Sequence, residues 1–414
     1  MKKKVILLGS IATIAIACGT IVSSPKDEGN YTPRTTLDLE STMNSGANGM
    51  LEWMEMAKSG FTNEDYKRAL ADAKALTQNR ADLSWRDHGP DNVGGRTRAI
   101  LVDRNDLNHI YAGSVSGGLF ESPSRANYWS KVEGFDENLA VSSMCQTIDG
   151  TVYVATGHQQ EGTAGFEGSG LGGDGIYRSM PDGSWEQISG SDSYAYINEV
   201  VADTLNNVVW ISCSAGLESY DAATGTITDV ASFPTGSCSA LSISPDGQVI
   251  VGSGTGNKTM VSSDYGASFT DYSDDGNTSN EVIKPAGRVE YAMSHEKQDG
   301  FYVIYASFSN GSSGGKLEGV WRSADNGVNW TEIAPKNNGD PGSFAPFESG
   351  GGGGQGLYDN IISVQPGNPN RIFLGGIDCY SWSTTGNWEQ VSQWFLPQTS
   401  PLYVHADNHE MTWD

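Results

Sequence analysis

The sequence predicts an all-β fold assembled from repeated four-stranded units, on three observations. A turn phrase recurs, apolar runs recur around it at near-constant spacing, and the composition is that of an exported β protein. The phrase is S-x-D-x-G-x-x-aromatic, present as Ser262-Ser-Asp264-Tyr-Gly266-Ala-Ser-Phe269 and as Ser323-Ala-Asp325-Asn-Gly327-Val-Asn-Trp330. Its Asp can cap backbone N–H groups of its own turn, its Gly supplies positive φ, and its aromatic ring folds back on the sheet. Degenerate copies stand at Ser122–Trp129, Ser179–Trp185, Tyr220–Thr226 and Ser381–Trp388. Units begin near Ala99, Val141, Val200, Leu241, Val289, Ile361 and His405, at gaps of about 40 residues and upward, the period of a four-stranded propeller blade. The expected fold is therefore a β-propeller of about six complete blades and the start of a seventh, preceded by a short helical segment.

The N-terminus reads as a targeting segment over residues 1–18. Lys2-Lys-Lys4 is a basic leader, and the apolar run from Val5 to Ala17 is short for a membrane span. It ends Ala15-Ile-Ala-Cys18, which resembles a bacterial lipobox with Ala15 where Leu is usual. The resemblance implies lipidation of Cys18, with plain signal cleavage as the alternative, and so a membrane link only through an N-terminal anchor. Residues 19–45 read as a polar tether. Residues 46–82 read as helical, with Thr62-Asn-Glu-Asp65 as N-cap and acidic first turn, and Tyr66, Ala69, Leu70, Ala73 and Leu76 at helical spacing. The propeller then occupies 83–414. The last residues, Glu410-Met-Thr-Trp-Asp414, read as an innermost strand with nothing after it, so the natural reading frame is expected to continue.

Charge excludes some partners. The net charge is −25, which argues against nucleic acid and anionic membrane surfaces. Four cysteines follow Cys18, at 145, 213, 238 and 379, with no CxxC spacing, so a zinc or redox site is disfavoured. Cys213 and Cys238 either pair or stay free and buried.

In a propeller, the strand 2–3 loops and the blade-to-blade loops share one face, opposite the repeated turns. Long insertions at 158–174, 272–287, 309–316 and 334–359 all fall on that face, which makes it the expected binding face. Three phrases lead into innermost strands: Gly94-Gly-Arg96-Thr-Arg98, Gln355-Gly-Leu-Tyr358-Asp359-Asn360 and His405-Ala-Asp407-Asn-His409. Residues two apart on a strand share a face. Arg96 and Arg98, with Tyr358 and Asp359, are thus candidate ligand-binding residues at the channel. The arginines either grip a carboxylate or sulfate or bridge blades through carbonyls. His405, Asp407 and His409 either ligate a divalent cation, Zn²⁺ or Ca²⁺, or form a structural polar network.

The turn phrase resembles the Asp-box, or BNR repeat, of sialidases, sortilin-like domains and related propellers. That resemblance implies structural roles for Ser262, Asp264, Gly266, Phe269, Ser323, Asp325, Gly327 and Trp330. The longer phrases from Trp85 to Asp414 resemble a family of exported Bacteroidetes proteins with sortilin-like, sialidase-like or photosystem-assembly-factor-like propellers. The family resemblance implies export to the cell surface or medium but transfers no reaction. The Phe/Tyr-Arg-Ile-Pro phrase of a sialidase is missing from the sequence. Against the xyloglucanase pattern R-T-D-x-G-G, Val115 stands where the catalytic Asp would be, and valine transfers no proton. The expected function is binding of a glycan, peptide or protein on the loop-bearing face. The alternatives are a glycoside hydrolase with carboxylates from different blades and a secretion or assembly accessory protein.

Overall fold

The computed structural model describes residues 68, 71, 72 and 96–413, apart from 136–137, 158–171, 204, 274–286, 312–314, 335–343 and 349–352. Arg68, Ala71 and Asp72 are helical and exposed. The leader, Cys18, the tether, most of the expected helical segment and most of the insertions lie outside the described residues. Among the described residues no helix is long and apolar enough to cross a membrane.

Among the described residues twenty-four strands form six four-stranded antiparallel sheets. The first is β1 (Thr97–Val102), β2 (Ile110–Ser114), β3 (Gly118–Ser122) and β4 (Ser130–Lys131). The second is β5 (Val141–Gln146), β6 (Val152–Thr156), β7 (Ile176–Ser179) and β8 (Trp185–Gln187). The third is β9 (Ile197–Asp203), β10 (Val208–Cys213), β11 (Gly216–Asp221) and β12 (Thr226–Asp229). The fourth is β13 (Leu241–Ile243), β14 (Ile250–Gly254), β15 (Lys258–Ser262) and β16 (Thr270–Asp271). The fifth is β17 (Val289–Gln298), β18 (Phe301–Ser309), β19 (Leu317–Ser323) and β20 (Thr331–Ala334). The sixth is β21 (Ile361–Val364), β22 (Arg371–Gly375), β23 (Tyr380–Ser383) and β24 (Glu389–Gln390). Each sheet is a simple meander in chain order, and its first strand contacts the first strand of the next sheet. This is a β-propeller, as the repeat predicts. Six of the seven expected units are sheets. At the seventh start, His405 onward, no strand is described.

Every copy of the turn phrase, complete or degenerate, joins strand three to strand four of its sheet. In the complete copies the hydrogen bonds repeat. Ser262 Oγ accepts from Gly266 N at 2.9 Å and donates to Asp264 Oδ1 at 2.7 Å, and Asp264 Oδ1 accepts from Ser268 N at 2.9 Å. Ser323 and Asp325 make the same set, with Gly327 N at 2.9 Å and Asn329 N at 2.9 Å. Gly266 and Gly327 have φ of +79° and +87°, which only glycine adopts freely. Trp330 is buried and donates from Nε1 to Gly327 O at 2.8 Å, while the Phe269 ring meets Phe233 edge-on at 5.1 Å.

Five apolar clusters join consecutive sheets. Ala99, Leu119 and Val141 with Val154 seal the first to the second, Ile176 with Val209 and Ile211 the second to the third, and Trp210 with Ile250 and Met260 the third to the fourth. Val251 and Val261 with Tyr291 and Ile304 seal the fourth to the fifth, and Val303 and Val320 with Ile372 and Leu374 the fifth to the sixth. Among the described residues no such cluster joins the sixth to the first. The segment 404–413 stands beside the sixth sheet instead. Asn408 donates from its backbone N (2.9 Å) and from Nδ2 (2.7 Å) to Gly376 O, and Trp413 Nε1 donates to Ser363 Oγ at 2.6 Å.

Cys145, Cys213, Cys238 and Cys379 are all free thiols. Of the two readings for Cys213 and Cys238, the structure shows the unpaired one. Cys238 N donates to Cys213 O, so the two residues are neighbours through backbone alone.

Asp325 caps an exposed turn between strands three and four of its sheet, at the end opposite the strand 2–3 connection. Asp325→Ala is expected to lower stability by about 1 kcal/mol, the value of a lost cap, with ligand binding unchanged. Chemical denaturation alongside a binding assay checks this. Affinity lost at unchanged stability would contradict it.

Candidate functional site

The innermost strands line the axis of the ring, and their ends bring charge together from four sheets and the closing segment. β1 contributes Arg96, just before it, and Arg98, which sits at a bulge where the register shifts between Thr97 and Ala99. A bulge re-aims the side chain at that position. β9 contributes Glu199, and β17 contributes Glu290 with Arg288 just ahead of it. Tyr358, Asp359 and Asn360 lead into β21, and His409 and Glu410 come from the closing segment.

A tight turn holds Tyr358 and Asp359. Gln355 O accepts from Tyr358 N (2.6 Å) and Asp359 N (2.9 Å), and Gln355 N donates to Phe347 O at 2.8 Å. Gly356 lies flat on Phe347, where a Cβ would sit 2.4 Å from Cδ2, so no larger residue fits. Buried Arg288 pins the turn from the fifth sheet, donating from Nη1 to Tyr358 O at 2.8 Å and from Nε to Glu290 Oε1 at 2.7 Å. Asn360 Nδ2 donates to Ser307 O at 3.2 Å.

The Tyr358 ring is the hub. The Arg96 guanidinium lies over it, 5.0 Å from the centroid, and the His409 imidazole meets it edge-on at 4.5 Å. With its side-chain amide turned so that the nitrogen faces them, Gln355 donates to Asp407 Oδ1 at 2.9 Å and to Asp359 Oδ2 at 3.2 Å. Around this hub several buried polar atoms have no partner: Arg96 Nε, both ring nitrogens of His409, Asp359 Oδ1 and Asn360 Oδ1. Asp359 and Asn360 are fully buried and His409 is 8% exposed. Such atoms normally find partners, since leaving one unmade costs free energy.

Burial sets the protonation of this cluster. Asp359 is pushed up to about 8, first by burial and then by the Asp407 carboxylate. Glu410 is raised to about 7 by burial, against the pull of Arg98. Glu199 is raised well above the carboxylate range by burial and then by Glu290, while its Oε2 accepts from Leu241 N at 2.6 Å. Burial and then Arg288 lower Arg98 to about 10, and burial and then Arg98 lower His409 to about 3. Arg98, Glu199 and Glu410 keep some contact with solvent although protein surrounds them on nearly every side. Near neutrality Arg98 is therefore charged, Asp359 holds its proton, Glu410 is midway through titration, and His409 is neutral.

Arg96, Tyr358 and Asp359 meet as the spacing of their phrases suggests, and Arg98 is close enough to His409 to act on its charge. Neither Arg96 nor Arg98 bridges blades through a carbonyl among the described residues, and Arg288 has that role. The metal triad does not assemble. Asp407 has φ of +70°, which breaks the alternation of an extended strand. His405 and Asp407 are exposed while His409 is buried, and His405 Nδ1 turns back to Ala406 O at 2.7 Å. Among the described residues no group of three His, Cys, Asp or Glu side chains is disposed to hold a metal ion. Arg288, Glu290, Glu199 and Glu410 were not anticipated. The signal for the first two was present, because Gly287-Arg288-Val-Glu290 repeats the Gly-Arg-x-charged pattern of Gly95-Arg96-Thr-Arg98 at another innermost strand.

No protein-family model matches the chain, and no curated protein matches it. Solved structures do. An ancestral GH74 enzyme is 14% identical with a TM-score of 0.54, over 76% of this chain and 40% of that one. The GH74 xyloglucanase from Xanthomonas campestris is 17% identical with a TM-score of 0.49, over 72% and 45%. An auxiliary nutrient binding protein from Bacteroides thetaiotaomicron is 11% identical with a TM-score of 0.44, over 68% and 66%. The chain spans less than half the length of either GH74 enzyme, and the likeness extends to the propeller fold.

The protonation pattern predicts a stability profile. Asp359 and Glu410 bind their protons more tightly folded than unfolded, so their stabilising contribution is complete at low pH and is lost as pH rises through about 7 and about 8. His409 acts oppositely, and its contribution is lost below its unfolded value of 6.5. Above that value only the carboxyl groups act, and stability is expected to fall by about 1.4 kcal/mol per pH unit for each proton held. Urea denaturation across this range checks it. Asp359→Asn is expected to flatten the fall, and an equally steep fall in that variant would refute the assignment.

Proposed function

We propose that this chain is an exported, surface-tethered propeller that binds a glycan at the channel mouth of its loop-bearing face. The observation that carries this reading is the convergence of unpartnered buried donors and acceptors around Tyr358. Arg96 Nε offers a donor, Asn360 Oδ1 an acceptor, and protonated Asp359 and neutral His409 offer either. A hydroxyl-rich ligand both donates and accepts, so one ligand class suits both kinds of atom. Those atoms are covered in this conformation.

The same face supplies apolar platforms. Trp394 and Phe395 are 42% and 64% exposed and stand edge to face. Trp394 N donates to Asp378 Oδ1 at 2.8 Å, on the strand 2–3 side of the sixth sheet. Asp378 and the Tyr358 turn are knitted to one segment, since Pro346 O accepts from Ile377 N and Phe347 O from Gln355 N. Exposed aromatic surface of this kind favours packing against a ligand. Export and tethering rest on the basic leader, the apolar run and the lipobox-like Ala15-Ile-Ala-Cys18.

Asp359 favours a second reading. A carboxyl protonated to about 8, linked through Gln355 to the exposed Asp407, has the form of an acid beside a base. In that reading the chain cleaves glycosidic bonds, with Asp359 protonating the leaving oxygen. Val115 at the position of the xyloglucanase acid counts against the mechanism of that family.

A polysaccharide panel separates the two. The binding reading expects retention by at least one glycan with no release of reducing ends, and roughly tenfold weaker affinity in Tyr358→Ala or Trp394→Ala. Release by the wild type that disappears in Asp359→Asn supports hydrolysis. Failure of every glycan to bind overturns both.

A further inference from the structure

The closing segment, residues 404–413, lies beside the sixth sheet but forms no strand with it. Asn408 bonds Gly376 O, and Trp413 bonds Ser363 Oγ and meets the Phe373 ring edge-on at 5.4 Å. Its next contact sets acid against acid. With the Gln355 amide turned toward them, Asp407 and Asp359 accept from one and the same nitrogen. Asp407 is exposed on backbone of positive φ, while Asp359 is fully buried with Oδ1 unpartnered. Two carboxylates flanking one amide repel each other unless a proton is held between them. Two residues on, His409 packs on the Tyr358 ring that Arg96 overlies, so the segment helps to cover the unpartnered atoms of the hub.

We propose that residues 404–413 form a proton-operated latch. They stay docked while the Asp359–Asp407 pair and Glu410 hold protons, and they leave the sixth sheet when those protons are lost, which uncovers the hub around Tyr358. The latch controls access to the site whatever ligand the site takes.

The direction follows from the groups that surround these acids. Arg96 and Arg98 of the first sheet and Arg288 of the fifth favour ionised carboxylates. Glu199 of the third sheet and Glu290 of the fifth oppose them, and neutral His409 does neither. Burial outweighs the arginines at both acids, leaving Asp359 at about 8 and Glu410 at about 7. Undocking returns Glu410 to water and takes Asp407 away from Asp359, so both bind protons more tightly docked than undocked. Docking is thus complete below about pH 7 and weakens as pH rises through about 7 and about 8.

Hydrogen exchange of the whole chain, read by mass spectrometry at pH 6 and pH 8.5 and corrected for the intrinsic rate, tests this without any ligand. Protection of peptides from 404–413 is expected to fall at least tenfold at the higher pH, while strands of the third and fourth sheets keep theirs. Glu410→Gln is expected to remove most of the fall. Where that variant does not fold, Asp407→Asn, at an exposed position, is expected to reduce the fall severalfold. Equal protection at the two pH values overturns the latch. So does a fall shared equally by all sheets, which marks global unfolding, or a fall that both variants leave unchanged.

Discussion

Everything in this structure depends on consecutive sheets burying their faces against one another. A four-stranded sheet has two broad faces and too little area to form a core alone, so each borrows its core from its neighbours. Shape decides how well that works. A Cβ on Gly266 would lie 2.7 Å from Trp210 Cη2 of the preceding sheet, and one on Gly327 would lie 3.0 Å from Val261. The repeated turn therefore does two jobs with one residue. Its glycine adopts the positive φ that closes the turn, and its bare Cα lets the outer edge of one sheet close on the next.

The same arrangement creates the charged axis. Inner strand ends point toward a narrow space that no neighbouring sheet can fill, and polar side chains occupy it. Solvation is poor there, so carboxyl groups keep protons that a surface carboxylate would release. The arginines cannot neutralise in this way and keep their charge.

The fold was readable because its signals are local and repeated. The spacing from Ser262 to Phe269 and from Ser323 to Trp330 marks one turn type, and the apolar runs at Val141, Leu241 and Ile361 mark innermost strands directly. The site was readable where a phrase sits just ahead of such a strand, as Arg96 and Tyr358 do. It was not readable at His405-x-Asp407-x-His409, where the expected alternation assumed an extended strand. Asp407 adopts positive φ, and one such residue turns its neighbours onto different faces. Glu199 and Glu290 were missed for another reason. A single charged residue in an apolar strand looks like any solvent-facing position until the strands converge on an axis.

The order of strands has a consequence for how the chain reaches this state. Every sheet is a run of sequential hairpins, and each apolar cluster joins sheets adjacent in the chain, so these contacts link neighbouring stretches of sequence. The meeting of Arg96 with Tyr358 and His409 is different, because it brings together opposite ends of the described propeller. Its sequence separation gives it a large closure entropy, and among the described residues no apolar cluster offsets it. The joint between the two ends therefore rests on the polar contacts around Tyr358 and not on an apolar core.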